Sequence, residues 1–318
     1  MMNGKYLLDD KKIWVAGHKG MVGSAIVRRL KSEKCQIVSV DSSDVDLTRQ
    51  QEVEDWIQES RPDVVFLAAG KVGGIHANNT YPADFIYQNL MIESNVINSA
   101  AKCGVEKLLF LGSSCIYPRD IAQPMRESSL LSGALEKSNE WYAIAKIAGI
   151  KMCEAFRKQH SCDFISAMPT NLYGPEDNFH SQNSHVPAAL LTRFSDAVLS
   201  GHQHVDVWGT GRVRREFLHV DDLADACVFL MTNYSDVELV NVGVGEDVSI
   251  AEFAELIAGV VGFKGEIRFD ASRPEGTPRK LLDTKKINEL GWKARISLKE
   301  GMIMYYKWFK ENQGRLRK

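Results

Sequence analysis

The sequence predicts an α/β fold: a doubly wound parallel sheet followed by a smaller C-terminal α/β domain. Three observations predict it. Short apolar, β-branched runs alternate with helix-length segments through the first half of the chain, the pattern of a parallel sheet covered on both faces. A glycine-spaced turn joins the first of those runs directly to the first helical segment. From about residue 171 the alternation gives way to turn-rich stretches and shorter elements.

Taken in order, strands are expected at 13–16, 36–40, 64–68, 107–111 and 164–167. Each is apolar almost throughout, as expected of strands with helices on both sides. The segments 21–33, 48–59, 81–103 and 139–160 have helical length and spacing. Turn-rich stretches at 171–183, 209–214 and 273–278 follow, and functional loops are often built this way. A mixed run at 240–244, a helix at 250–261 and an amphipathic tail around 305–309 complete the second half. The chain therefore divides near residue 170, into 1–170 and 171–318, with some later segments returning to the first sheet. There is no internal repeat and no low-complexity segment.

Composition excludes several function classes. The 318 residues carry a formal net charge of −2, which argues against nucleic-acid binding through bulk electrostatics. No apolar run has the length to span a bilayer, and the polar start lacks the apolar core of a signal peptide. The six cysteines show no CxxC pair or zinc spacing, so they read as reduced thiols of a cytoplasmic protein. His202 and His204 lie in a polar stretch without partner ligands and read as loop histidines; no metal site is expected.

The first turn reads Gly17-His18-Lys19-Gly20-Met21-Val22-Gly23. Glycines let the backbone approach a diphosphate, and the helix that follows offers unpaired N–H groups and a positive dipole end. Strand, glycine spacing and helix together indicate a Rossmann-type dinucleotide site, so 1–170 is read as the dinucleotide-binding domain. The spacing GxxGxxG is that of short-chain dehydrogenases. The second strand ends in Val40-Asp41-Ser42. The Asp41 carboxylate suits the ribose hydroxyls of NAD(H) and repels the extra phosphate of NADP(H), whereas Lys19 counters that repulsion. On local chemistry both cofactors stay open.

Tyr142 and Lys146 stand four apart on one helix face, and Ser113-Ser114 follows the fourth strand. Tyr306 and Lys310 repeat the spacing on the C-terminal helix but lack that context, and read as structural. A nearby ammonium is expected to favour the Tyr142 phenolate, fitting the residue for acid–base work on a carbonyl oxygen that exchanges a hydride. Ser113 would hydrogen-bond the same oxygen, and Lys146 would also hold the nicotinamide ribose.

Longer motifs carry a resemblance. They are KVGGIHANNTYPADFIYQN from Lys71, GSSCIYP from Gly112, NEWYAIAKIAG from Asn139 and PTNLYGPEDNF from Pro169. NSHV from Asn183, REFLHVDDLA from Arg215 and GTPRKLLD from Gly276 complete the set. From the first glycine loop nearly to the C-terminus the chain resembles the GDP-L-fucose synthase family of extended short-chain dehydrogenases/reductases. The resemblance implies a bifunctional epimerase/reductase acting on GDP-4-keto-6-deoxy-mannose. It implies Cys115 and His185 as the proton-transfer pair for epimerisation, and thiol and imidazole both exchange protons near neutrality. It adds Leu47, Pro169, Asn171, Leu172 and His185 to the cofactor contacts. For the GDP-sugar it implies Asn183, Val186, Leu190, Arg193, Val207, Trp208, Arg215 and Lys280, arginine forks suiting a diphosphate. It also implies a preference for NADP(H), and a homodimer packed through 81–103 and 139–160.

Two positions depart from the family pattern. Asp41 lies where an arginine is common, and Trp141 replaces a smaller residue or proline beside Tyr142. Trp141 is expected to reshape the sugar pocket. It gives weight to a sister activity, GDP-L-colitose synthase, which acts on a 3,6-dideoxy sugar and epimerises only C5. A rival of another class is a non-catalytic dinucleotide-binding regulator, against which the intact Ser113, Tyr142 and Lys146 speak.

Overall fold

The computed structural model describes residues 5–180, 183–273 and 276–317. Ser181, Gln182, Pro274 and Glu275, inside two of the expected turn-rich stretches, lie outside the described residues, as do the first four residues of the polar start. The first half runs β1 (Lys12–Ala16), α1 (Met21–Leu30), β2 (Gln36–Val38), α2 (Gln50–Ser60) and β3 (Val64–Leu67). It continues through α3 (Ile75–Thr80), α4 (Pro82–Lys102), β4 (Lys107–Leu111), α5 (Glu140–His160) and β5 (Asp163–Pro169). All five expected strands and four expected helices form, with ends shifted by up to three residues. The 36–40 strand is shorter than expected: pairing with β1 stops at Val38, so Asp41 stands in the loop beyond.

The second half contains β6 (Asn171–Tyr173), α6 (Val186–Ser200), β7 (His204–Trp208), β8 (Arg214–Arg215), β9 (Phe217–His219) and α7 (Val220–Asn233). Then come β10 (Val240–Val242), β11 (Val248–Ser249), α8 (Ile250–Val261), β12 (Glu266–Asp270), β13 (Arg279–Lys280), α9 (Lys285–Leu290) and α10 (Leu298–Glu311). His204 is not in a loop: it opens β7, whose alternation of exposed and buried residues is that of a half-covered strand, and the histidine itself stays exposed.

The main sheet has six parallel strands in the order β10-β5-β4-β3-β1-β2. The chain moves outward from β1 to β2, then crosses back to β3 on the other side of β1. The crevice at the carboxyl ends of β1 and β3 is therefore the switch point where such sheets bind ligands. β10, from the second half, pairs with β5 and extends the sheet. One face packs on α1 and α7 and the other on α2, α4 and α5. A third buried cluster lies wholly at or beyond Tyr173, between α6, α8 and α10.

Candidate active site

A cleft of about 730 Å³ opens at that switch point. Gly17, His18, Lys19, Gly20, Met21 and Val22 line it, while Gly23 is buried inside α1. Gly17 needs its positive φ of 87°, and an added Cβ would lie 2.8 Å from the Ala69 nitrogen. A Cβ on Gly23 would collide with the Gly17 carbonyl. Gly20 caps α1 without a side-chain bond, so the first-turn N–H groups are left for a ligand. A backbone this close, with an uncapped helix start, fits a dinucleotide diphosphate.

Asp41, Leu47, Pro169, Asn171 and Leu172 also line the cleft. Asp41 is neutralised locally. Lys19 Nζ sits 2.6 Å and His18 Nε2 3.2 Å from its oxygens, and the Lys19 hydrogen bond holds the carboxyl below its usual range. The repulsion of a ribose phosphate expected from Asp41 alone is thereby offset, which removes the sequence-level argument for NAD(H).

Ser113, Tyr142, Lys146 and His185 also line the cleft, and the Lys146 ammonium lies 5.8 Å from the centre of the Tyr142 ring. Ser113 follows β4 and caps a short 3₁₀ turn, its Oγ accepting weakly from the Cys115 N–H at 3.5 Å. Tyr142 and Lys146 lie one turn apart on α5, and Phe85 of α4 meets the Tyr142 ring edge-on at 6.2 Å. Lys146 has an acidic partner. Its ammonium pairs with Glu93 of α4 at 2.8 Å, the two side chains being 4% and 1% exposed. Burial above all, with the Glu93 charge adding to it, pushes the Tyr142 phenol well up. The same surroundings favour the protonated phenol over the phenolate. Glu93 escaped the sequence reading. Its signal was the spacing Phe85, Asn89, Glu93, which stacks three buried side chains on one face of α4.

Asn89 explains much of the long motif at Lys71. Its side-chain oxygen accepts from the Lys71 N–H at 2.9 Å, and its amide donates to the Lys71 and Phe85 carbonyls. The loop it holds reaches the far wall, where Gly74 N–H donates to the Asn183 carbonyl at 3.0 Å. Asn183 thus stands beside His185 rather than lining the cleft, while Val186 does line it. His185 is exposed at the cleft, and desolvation by the protein around it holds its imidazole below the usual pKa. Cys115 is buried behind the Ser113 turn and does not line the cleft; burial raises its thiol. It shares a small cavity with Lys280.

The residues expected at the nucleotide end fall into two groups. β8 and β13 pair in parallel so that Lys280 is the register partner of Arg215, setting two cations side by side. Arg215 lines the cleft. Further out, the exposed Trp208 ring has the Arg193 guanidinium 5.0 Å from its centroid and that of Arg273 at 5.3 Å. Leu190 and Val207 are buried in the third cluster beneath them. Trp141, expected to reshape the sugar pocket, is 43% exposed and does not line the cleft. Lys310 lies over the Tyr306 ring at 4.6 Å on α10, away from the cleft, so that pair is structural. REFLHVDDLA is largely a scaffold motif: the buried Glu216 accepts from Val244, Gly245 and Leu282 N–H groups, and Asp222 from those of Arg295 and Ile296.

A dinucleotide crevice meeting a Ser–Tyr–Lys set defines a dinucleotide-dependent enzyme of the short-chain dehydrogenase type. The model of the NAD dependent epimerase/dehydratase family matches residues 13–243, and the chain belongs to that family. Among curated relatives, Probable GDP-L-fucose synthase 1 of Oryza sativa subsp. japonica is 60% identical, covering 96% of this chain and 94% of its own. GDP-L-fucose synthase of Escherichia coli strain K12 is 53% identical over 98% and 100%. GDP-L-colitose synthase of Yersinia pseudotuberculosis is 36% identical over 94% and 97%. The crystal structure of a GDP-L-fucose synthetase from Naegleria fowleri bound to NADP superposes with a TM-score of 0.92, at 27% identity over 99% of both chains.

Proposed function

We propose that this chain is a GDP-L-fucose synthase, which epimerises and reduces GDP-4-keto-6-deoxy-mannose. The observation that carries the reading is that Ser113, Tyr142, Lys146 and His185 all line the one cleft that the Gly17–Gly20 loop opens. Bound NADP(H), favoured by the NADP-bound relative and no longer opposed by an unpaired Asp41, would supply the hydride. Ser113 hydrogen-bonds the C4 carbonyl oxygen, and Tyr142, kept protonated by its surroundings, delivers the proton that completes the alcohol. Lys146 orients the nicotinamide ribose.

Epimerisation precedes reduction, because the ketone acidifies hydrogens on both flanking carbons. His185, held neutral at physiological pH, is suited to remove a proton, and the resemblance assigns its return on the other face to the Cys115 thiol, which burial behind the Ser113 turn keeps protonated. Arg215 and Lys280 hold the GDP diphosphate, Arg193 and Trp208 the base end, with Leu190 and Val207 as their floor and Val186 as the wall near the sugar, while Asn183 supports that wall through its carbonyl bond to Gly74. In this reading 1–170 serves mainly the dinucleotide and 171–318 mainly the nucleotide sugar. No described helix is long and apolar enough to cross a membrane, in keeping with a cytoplasmic enzyme. Tyr87 on α4 and Ile144 on α5, both exposed, support a homodimer packed through these helices.

The test is oxidation of NADPH with GDP-4-keto-6-deoxy-mannose and with its 3-deoxy counterpart, measured side by side. Faster turnover of the first is expected. Preference for the second would make the chain a colitose synthase, and turnover of neither would favour a dinucleotide-binding regulator. The position of Trp141 outside the cleft removes the feature that had favoured the colitose reading.

A further inference from the structure

The cleft holds one arginine that neither the glycine loop nor the nucleotide end supplies: Arg317, in the segment after α10. The backbone fixes its place. Phe179 N–H donates to the Arg317 carbonyl at 2.7 Å, and Asn178 and Arg317 form a parallel bridge. The receiving turn is itself held to α10: the Tyr305 hydroxyl donates to Asp177 at 3.0 Å, and Phe179 stacks on Trp308 and leans on Phe309. From this anchor the side chain reaches the glycine loop. A Cβ built on Gly20 would lie 3.9 Å from an Arg317 guanidinium nitrogen.

The side chain is exposed in the cleft, with the Asp177 carboxyl as an acidic neighbour. Gly20 opens α1, so the guanidinium faces the positive end of a helix dipole and N–H groups that no side chain caps. Its bond to the Glu176 carbonyl is long, at 3.4 Å, and an arginine fork is better matched by two phosphate oxygens. We infer that Arg317 is a dinucleotide-binding residue, completing from across the cleft the diphosphate cradle that the Gly17–Gly20 loop begins. The inference rests on the dinucleotide reading of the cleft. It makes the segment after α10 part of the cofactor site, although it lies almost 300 residues along the chain from the loop it faces.

The test is direct binding of NADPH and of NADH to the purified protein, followed by nicotinamide fluorescence, for wild type, Arg317→Ala and Arg317→Lys. Arg317→Ala should weaken both dinucleotides by the same factor, about ten- to a hundredfold, as for loss of a charge-assisted hydrogen bond. Arg317→Lys should fall between, keeping the charge and losing the fork. The unfolding midpoint without cofactor should hardly move, because docking uses the backbone carbonyl.

Unchanged affinity for both dinucleotides would overturn the inference. So would a loss confined to NADPH, which would place the arginine on the ribose phosphate instead. A lowered unfolding midpoint with wild-type affinity in the folded fraction would reduce Arg317 to a structural residue. Failure of wild type to bind either dinucleotide would sink the cofactor reading first, and this inference with it.

Discussion

At the scale of single residues, the decisive group is Glu93. A carboxylate and an ammonium buried together need each other, and removing one partner costs about 3–5 kcal/mol because the other charge is left stranded. Glu93→Gln should therefore lower stability by about 3 kcal/mol in denaturant melts, far more than a surface substitution. It should also change the chemistry in a defined direction. The Glu93 charge is one cause of the raised Tyr142 pKa, so its removal lets the phenol ionise more easily. The alkaline limb of the reduction rate should then move to lower pH, and an unmoved limb would show that Glu93 does not act on Tyr142. Tyr142 and Lys146 were legible as residues because helix spacing alone puts them on one face. The protonation of Tyr142 was not. It depends on a carboxylate from another helix, about 50 positions earlier in the chain, whose approach is a matter of packing.

Among elements, the turn from β1 into α1 shows how little side-chain space the site tolerates. Gly23→Ala places a methyl against the Gly17 carbonyl, so the loop must shift before any dinucleotide can reach the helix start. We expect cofactor affinity to fall at least about tenfold, measured by fluorescence titration, with the fold retained. Near-normal affinity would mean that the loop moves at little cost. This element was legible because strand, glycine and helix follow one another within a dozen residues. β8, β11 and β13 were not: each has two residues, too few for any period, and each is ordered by partners far along the chain. The cation pair of Arg215 and Lys280 was visible only as two separate basic residues, since the register that joins them belongs to the small sheet.

For the whole molecule, the fold class was legible because alternation over 160 residues is a strong signal, and even the return of a late strand to the main sheet was expected. The seating of the second half was not, because α6, α8 and α10 bury one another in a cluster that no local pattern announces. The face formed by α4 and α5 carries the prediction at this scale. A double variant, Tyr87→Arg with Ile144→Arg, should sediment near 35.6 kDa while wild type sediments at about twice that mass. Equal masses would place any subunit contact elsewhere.

The pairing of β10 with β5 has a consequence for synthesis. A ribosome releases β1 to β5 well before residues 240–242, so the nascent chain waits with the outer edge of β5 bare. At about 5–20 residues per second the interval is some 4–15 s, ample for an unpaired strand edge to meet another chain. For that interval the edge of β5 is open to pairing with another chain, and slow translation between residues 170 and 240 would lengthen its exposure.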